Sequence, residues 1–493
     1  MMFSFMPPIH WPRLALTALP LVLAACAAPR PPAQTEPAAP ARWNAPLPQV
    51  SLPHGGSVAG LERWWDAQGD ALLAELIREA QRASPSVAQA QSRFEQARAT
   101  QVAARSALLP SLDAQASASR GFNQQAAGLA NTAQIGVQAG WEIDLFGKNR
   151  AANDAALERL SGARAQWHDA RVSVAAEVAL QYTGWRHCVK QASVLQGDAA
   201  SRGETARLSR DSERAGFTAP ANAALADASF ADGKVRAAQQ QLQCDIGIKT
   251  LVALTGHDEA DLRMRLGATP ATALPEQLFQ VRSIPAEAIA QRPDVFSAER
   301  EVAAASAEVG SAEADRYPGL SLSGSIGRMY VGTDGLSGSS NIWTIGPVAV
   351  SLPLFDGGRR AAQVTAAKAR YDAAAVAYRG QVRQAVSEVE QALAQLASTG
   401  ERRSDAQRAA DGYRHSLTAT EALWRGGLAS QLDLENTRRT ALASELALVQ
   451  LEQERVAAWI RLYRAVGGGW EPNAPDPESS LASTGAAAPT ATP

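Results

Sequence analysis

The sequence predicts an α+β membrane protein in which each chain lends four strands to a barrel shared between copies and carries two hairpins of very long helices. Three observations predict it. The first is a strict alternation: Ile135, Val137, Ala139, Trp141, Ile143 and Leu145 fall on one side, and Gln134, Gly136, Gln138, Gly140, Glu142 and Asp144 on the other. That is a strand with one apolar and one wet face. The second is helical length. After Phe146-Gly147-Lys148 the residues Leu157, Leu160, Trp167, Val174 and Val178 recur at helical spacings, and no proline falls between Pro110 and Pro220. A rod of roughly 100 Å therefore runs to the turn at Ala215-Gly216-Phe217-Thr218. The third is duplication. Leu109-Pro110-Ser111-Leu112 returns as Tyr317-Pro318-Gly319-Leu320 (318 − 110 = 208), and Leu145-Phe146-Gly147 as Leu354-Phe355-Asp356-Gly357 (355 − 146 = 209). Arg214-Ala215-Gly216-Phe217 returns as Arg425-Gly426-Gly427-Leu428 (427 − 216 = 211).

Taken in order, residues 1–25 read as a signal peptide, since Arg13 precedes an apolar run over 14–23 that is too short to span a bilayer. Leu23-Ala24-Ala25-Cys26 looks like a bacterial lipobox, which implies acylation of Cys26; an incidental cysteine after an ordinary cleavage site is the alternative. Ala27 is not the aspartate of an inner-membrane retention signal, which directs the expectation to the outer membrane. Residues 26–60, Pro- and Ala-rich, read as a lipidated tether without fold. The first repeat, 61–257, holds a helix over 72–108 and a strand alternating Leu112, Ala114, Ala116 and Ala118 with Asp113, Gln115, Ser117 and Ser119. A loop, the strand described above and the long hairpin follow, its return arm over 222–254 ending at Gly256. Residues 258–283 read as an irregular belt or linker. The second repeat, 284–469, holds a helix over 285–315, a strand with Leu320, Leu322, Gly324 and Ile326, and a strand over 342–354 weakened by Pro347. Its long helix carries Val364, Tyr371, Tyr378 and Ala385 at sevens. Residues 470–493 read as a disordered tail.

After Cys26 no apolar run is long enough to cross a bilayer, so a mature chain that crosses one does so as strands. Four strands cannot close, because a transmembrane barrel needs roughly eight or more. A closed ring of copies completes it, with the Gln-, Ser-, Asp- and Gly-rich faces lining a watery lumen. Two ordinary hairpins of a soluble protein are the alternative, but no other apolar strand set is present for them to pack on. Cys188 and Cys244 lie equally far from Gly216 (216 − 188 = 28; 244 − 216 = 28), which sets them side by side in an antiparallel hairpin. An oxidising compartment favours a disulfide there; two buried thiols are the alternative.

With its lipobox and duplicated strand-strand-helix units, the chain resembles the TolC/OprM-type outer-membrane efflux factors, lipoprotein (NodT-like) branch. The residues that carry the resemblance are 141–147, 350–358, Ala290-Gln291-Arg292-Pro293-Asp294-Val295, Arg316-Tyr317-Pro318 and 427–433. The resemblance implies a homotrimer whose twelve-stranded barrel continues into a periplasmic α-helical barrel. It also implies a periplasmic adaptor and an inner-membrane efflux transporter as partners, and passive conduction of small molecules outward; a duct for protein secretion or metal-cation export is the nearest rival. By the same resemblance, Arg214, Gly216, Phe217, Arg425, Gly427 and Leu428 are adaptor-docking turns, and the periplasmic gate falls at Trp424, Leu432, Asp433, Glu435 and Asn436. Asn436 stands where relatives have a constricting aspartate, Trp424 where they have tyrosine and Leu423 where they have arginine. The expectation is an apolar or amide-lined closure, with Asp433 or Glu435 supplying the negative ring; ordinary solvated helix-end charges are the alternative.

Other classes find little support. A net charge of −2 gives no electrostatic case for nucleic acid. His168, His187, His257 and His415 show no metal-ligand spacing, and no phosphate loop or nucleophile elbow is present. Neither an enzyme nor a cofactor is expected.

Overall fold

A computed structural model describes residues 28–35, 43, 45, 65, 70–123, 128–269, 289, 292–333, 336–468 and 470. The leader, Cys26 and nearly all of the tail lie outside the described residues. The elements are α1 (Ala71–Ala83), α2 (Pro85–Ser106), β1 (Ser111–Asn123), β2 (Gly128–Ile143), α3 (Lys148–Arg214), α4 (Pro220–Thr255), α5 (Glu259–Ala268), α6 (Pro293–Ala314), β3 (Gly319–Thr333), β4 (Leu336–Ser351), α7 (Arg359–Arg425) and α8 (Gln431–Ala465). They form two compact units of interleaved sequence: residues 1–37, 92–164 and 297–380, and residues 38–91, 165–296 and 381–493.

The first unit holds the sheet, whose four antiparallel strands lie in the order β1-β2-β3-β4. β4 contains Pro347, which the sequence makes the weak point; the strand keeps its pairing because Gly346 and Pro347 fall at a register shift, between Val348 opposite Leu322 and Ile345 opposite Gly324, where neither is paired with β3. Each long helix starts on an aspartate of its repeated motif. Asp144 accepts from the backbone N–H of Asn149 (3.2 Å) and Arg150 (2.8 Å), and Asp356 from those of Gly358 (3.0 Å) and Arg360 (3.2 Å). These bonds satisfy N–H groups that have no partner inside the helix. Asp315 holds Lys148 of one repeat at 2.8 Å and Arg360 of the other at 3.0 Å, and the motif rings Phe146 and Tyr317 stack with centroids 4.9 Å apart. Below the sheet the helices pack through alanines, Ala155, Ala304 and Ala307 forming a buried cluster. The tether is not free of structure throughout. Arg30 pairs with Asp154 at 3.4 Å, and the carbonyls of Pro31 and Pro32 accept from Ser306 Oγ (2.5 Å) and the Tyr371 hydroxyl (3.1 Å).

The second unit is a helical bundle with Leu73, Leu76, Val178, Leu251, Leu393, Leu434 and Ile460 almost fully buried. The expected single helix over 72–108 breaks at Ser84, which Pro85 forces into extended backbone (ψ 122°). Where an irregular belt was expected, residues 259–268 form α5, because the Asp258 carboxylate accepts from the N–H groups of Ala260 and Asp261 and Leu262 and Leu266 are buried. Cys188 and Cys244 are joined by a disulfide, with Cα atoms 5.5 Å apart.

Candidate channel wall and gate

The register settles which sheet residues share a face. Ile135 pairs with Ala116 and Arg328, Val137 with Ala114 and Ile326, and Trp141 with Leu322; on β4, Trp343, Ile345, Val348 and Val350 continue the same face. It is apolar and uncovered: Ile326, Trp343, Ile345, Val348 and Val350 are 64–86% exposed. The opposite face carries Asp113, Gln115, Ser117, Thr132, Gln134, Gln138, Glu142, Ser321, Ser323 and Ser325. An apolar face of this extent in water is an interaction surface or a membrane surface. Among the described residues, β1 and β4 each leave one edge unpaired. No helix among the described residues is long and apolar enough to cross a membrane.

The two hairpin turns of the second unit repeat each other bond for bond. In the first, Gly216 has φ +80° and the N–H groups of Ala215, Gly216 and Phe217 donate to the carbonyls of Asp211, Glu213 and Ser212. In the second, Gly427 has φ +75° and Gly426, Gly427 and Leu428 donate to Ala422, Trp424 and Leu423. This left-handed cap closes a helix C-terminus and asks for glycine at its pivot. The tips present Phe217 and Leu428, 87% and 79% exposed, beside the exposed Arg214 and Arg425.

α8 then begins with a reciprocal cap. Ser430 Oγ accepts from the Asp433 N–H at 3.1 Å, and the Asp433 carboxylate accepts from the Ser430 N–H at 3.1 Å. Hydrogen bonds from the Ser430 side chain and backbone hold the Asp433 carboxyl below the usual range. Leu432, Asp433 and Asn436 share an exposed face, and Trp424 is half-buried before the turn. Glu435 departs from the expectation of a negative ring. Its side chain is 14% exposed and accepts from Arg202 (2.9 Å), Ser229 (2.7 Å) and Arg438 (3.0 Å). Two guanidiniums neutralise it.

That network was missed at the level of sequence. The Arg438 guanidinium, 2% exposed, also donates to Ser201 (3.2 Å), Thr205 (3.1 Å) and Glu421 (3.3 Å), while Arg202 donates to Asp198 at 2.7 Å. It joins α3, α4, α7 and α8 near the turns. A signal was present: Arg438 keeps step with Leu434 and Ala441 on the buried stripe of α8, where a charge survives only if paired.

A four-stranded sheet with an exposed apolar face, in a chain that also has two very long helical hairpins, defines the class of shared-barrel outer-membrane channels. The profile of the outer membrane efflux protein family matches this chain twice, over residues 76–257 and 284–468. The chain is 30% identical to outer membrane protein OprJ of Pseudomonas aeruginosa over 479 residues, 93% of this chain and 97% of that protein. It is 28% identical to nodulation protein T of Rhizobium leguminosarum bv. viciae over 473 residues, 94% of each. Among solved structures it resembles the outer-membrane channel OprN, with a TM-score of 0.80 at 27% identity, covering 90% of this chain and 100% of that one. The chain belongs to the outer membrane efflux protein family, a family of transport ducts, and is an outer-membrane efflux component.

Proposed function

We propose that three copies close one twelve-stranded barrel around a water-filled lumen. The assembly passively conducts small molecules handed to it by a periplasmic adaptor and an inner-membrane transporter, which supplies the energy. The carrying observation is the four-stranded sheet itself, with two unpaired edges and an exposed apolar face; unsatisfied edges in hydrocarbon are removed only by closure. Trp424, Leu432, Asp433 and Asn436 form the resting constriction, with Asp433 its negative ring, while Glu435 stays in the buried network. The tips at Arg214, Gly216, Phe217, Arg425, Gly427 and Leu428 seat the adaptor. Cys26, acylated, anchors the chain, and the docking of Arg30, Pro31 and Pro32 on the helices next to the sheet supports a membrane-level anchor. Conductance across a planar bilayer tests the reading: unitary current steps are expected, and a purified chain that inserts yet carries no current overturns it.

A further inference from the structure

Two arginines interrupt the apolar sheet face. Arg328 on β3 pairs with Ile135 and Asn341, and Arg120 on β1 pairs with Asn131, all on the side of Val137 and Trp343. They hold the same place in the two repeats, since 328 − 120 = 208, the offset that relates Pro110 to Pro318. Both side chains are exposed, and on that face no described residue is acidic. Arg328 donates to Ser339 Oγ at 2.9 Å; neither arginine has a carboxylate partner among the described residues.

Their depth follows from the register. Ile143, at the base of β2, lies eight residues from Ile135, the partner of Arg328. At about 3.3 Å per residue and a tilt of about 40°, that is about 20 Å of barrel height. The exposed Leu145, Leu354 and Phe355 at the base extend the apolar belt towards the ~25 Å such barrels present to hydrocarbon. Arg328 therefore stands at the upper limit of the belt, with Trp343 and Tyr330 beside it, the aromatic residues typical of that boundary. Strand tilt staggers equivalent positions along neighbouring strands. The 208-residue offset that relates Arg120 to Arg328 is the one that relates the strand-leading Pro110 to Pro318, so the two arginines hold equivalent places on equivalent strands of the two repeats.

We infer that Arg120 and Arg328 form a ring of anion sites at the outer boundary of the belt that binds the phosphate groups of the phosphorylated glycolipid, lipid A, in the outer leaflet. The inference rests on the barrel reading above, which puts six guanidiniums around a three-copy wall. A guanidinium matches phosphate oxygens in a bidentate fork, and a face with no described carboxylate leaves that fork to a ligand.

The test is native mass spectrometry of the full-length assembly in mild detergent, with lipid A carrying both phosphates and with lipid A stripped of them. The phosphorylated lipid should bind at least tenfold more tightly, and R120Q/R328Q should lose that preference. Should the double variant fail to assemble, R120Q and R328Q singly should each weaken it. Equal binding of the two lipids, or variants that bind like the parent, would overturn the lipid contact while leaving a conducting channel intact. A parent chain that carries no current overturns the barrel reading and this inference with it.

Discussion

Replacing Arg438 by leucine probes the buried network where its energy is concentrated. The guanidinium is 2% exposed and reaches two carboxylates, Glu435 at 3.0 Å and Glu421 at 3.3 Å, and two hydroxyls. Removing one partner of a buried ion pair costs about 3–5 kcal/mol, because the other charge is left without compensation. Here Glu435 keeps Arg202 at 2.9 Å and Ser229 at 2.7 Å, so the lower end applies, about 3 kcal/mol. At about 1.4 kcal/mol per decade, amides around residues 198–205 and 431–442 should exchange with solvent roughly a hundredfold faster in R438L. Hydrogen exchange read by mass spectrometry resolves this from the rest of the chain. Exchange within threefold of the parent in those segments would refute the assignment of a stabilising role to the network.

Burial, then the nearby Asp294, raises the Asp169 carboxyl to about 6, with Arg464 and Arg292 opposing and Glu388 adding to the rise. A folded-state value above the unfolded one lends stability that is full below about pH 4 and lost as pH climbs through about 6. D169N should therefore stabilise by about 3 kcal/mol at pH 8 and by about half that at pH 5; an equal Tm shift at both pH values contradicts this. A Cβ on Gly327 would sit 2.5 Å from the Ile135 carbonyl oxygen and 2.9 Å from Gly136 Cα. G327A should cost about 1–3 kcal/mol and reduce the SDS-resistant oligomer on gels, whereas G338A, open on all sides, should not. The Cys188–Cys244 bridge closes a separation of 56 residues, and chain entropy puts its contribution at about 4 kcal/mol. Reductant should lower Tm in the parent and leave C188A/C244A unaffected. F217A/L428A removes two exposed side chains and should abolish adaptor co-purification without moving Tm.

Much of this was legible because it depends on periodicity and repetition. Alternation of Ile135, Val137 and Trp141 against Gln134, Gln138 and Glu142 appears as the two faces of β2, and the offset of 211 between Gly216 and Gly427 appears as identical hydrogen bonds. Equal distances from Gly216 place Cys188 beside Cys244, because antiparallel helices rise equally per residue. Long-range pairing is less visible. Nothing local announces that Arg202 and Arg438 share Glu435, 233 and three residues away, or that prolyl carbonyls near the N-terminus find Ser306 and Tyr371. Local chemistry also beat pattern twice: Pro85 breaks a continuous apolar period, and the Asp258 cap starts a helix in a stretch read as linker.

The central claim is that one chain cannot seal the pore, and mass decides it. Multi-angle light scattering of the mature protein in mild detergent, corrected for bound detergent, should return three copies. A monodisperse single copy with the sheet protected would contradict the account.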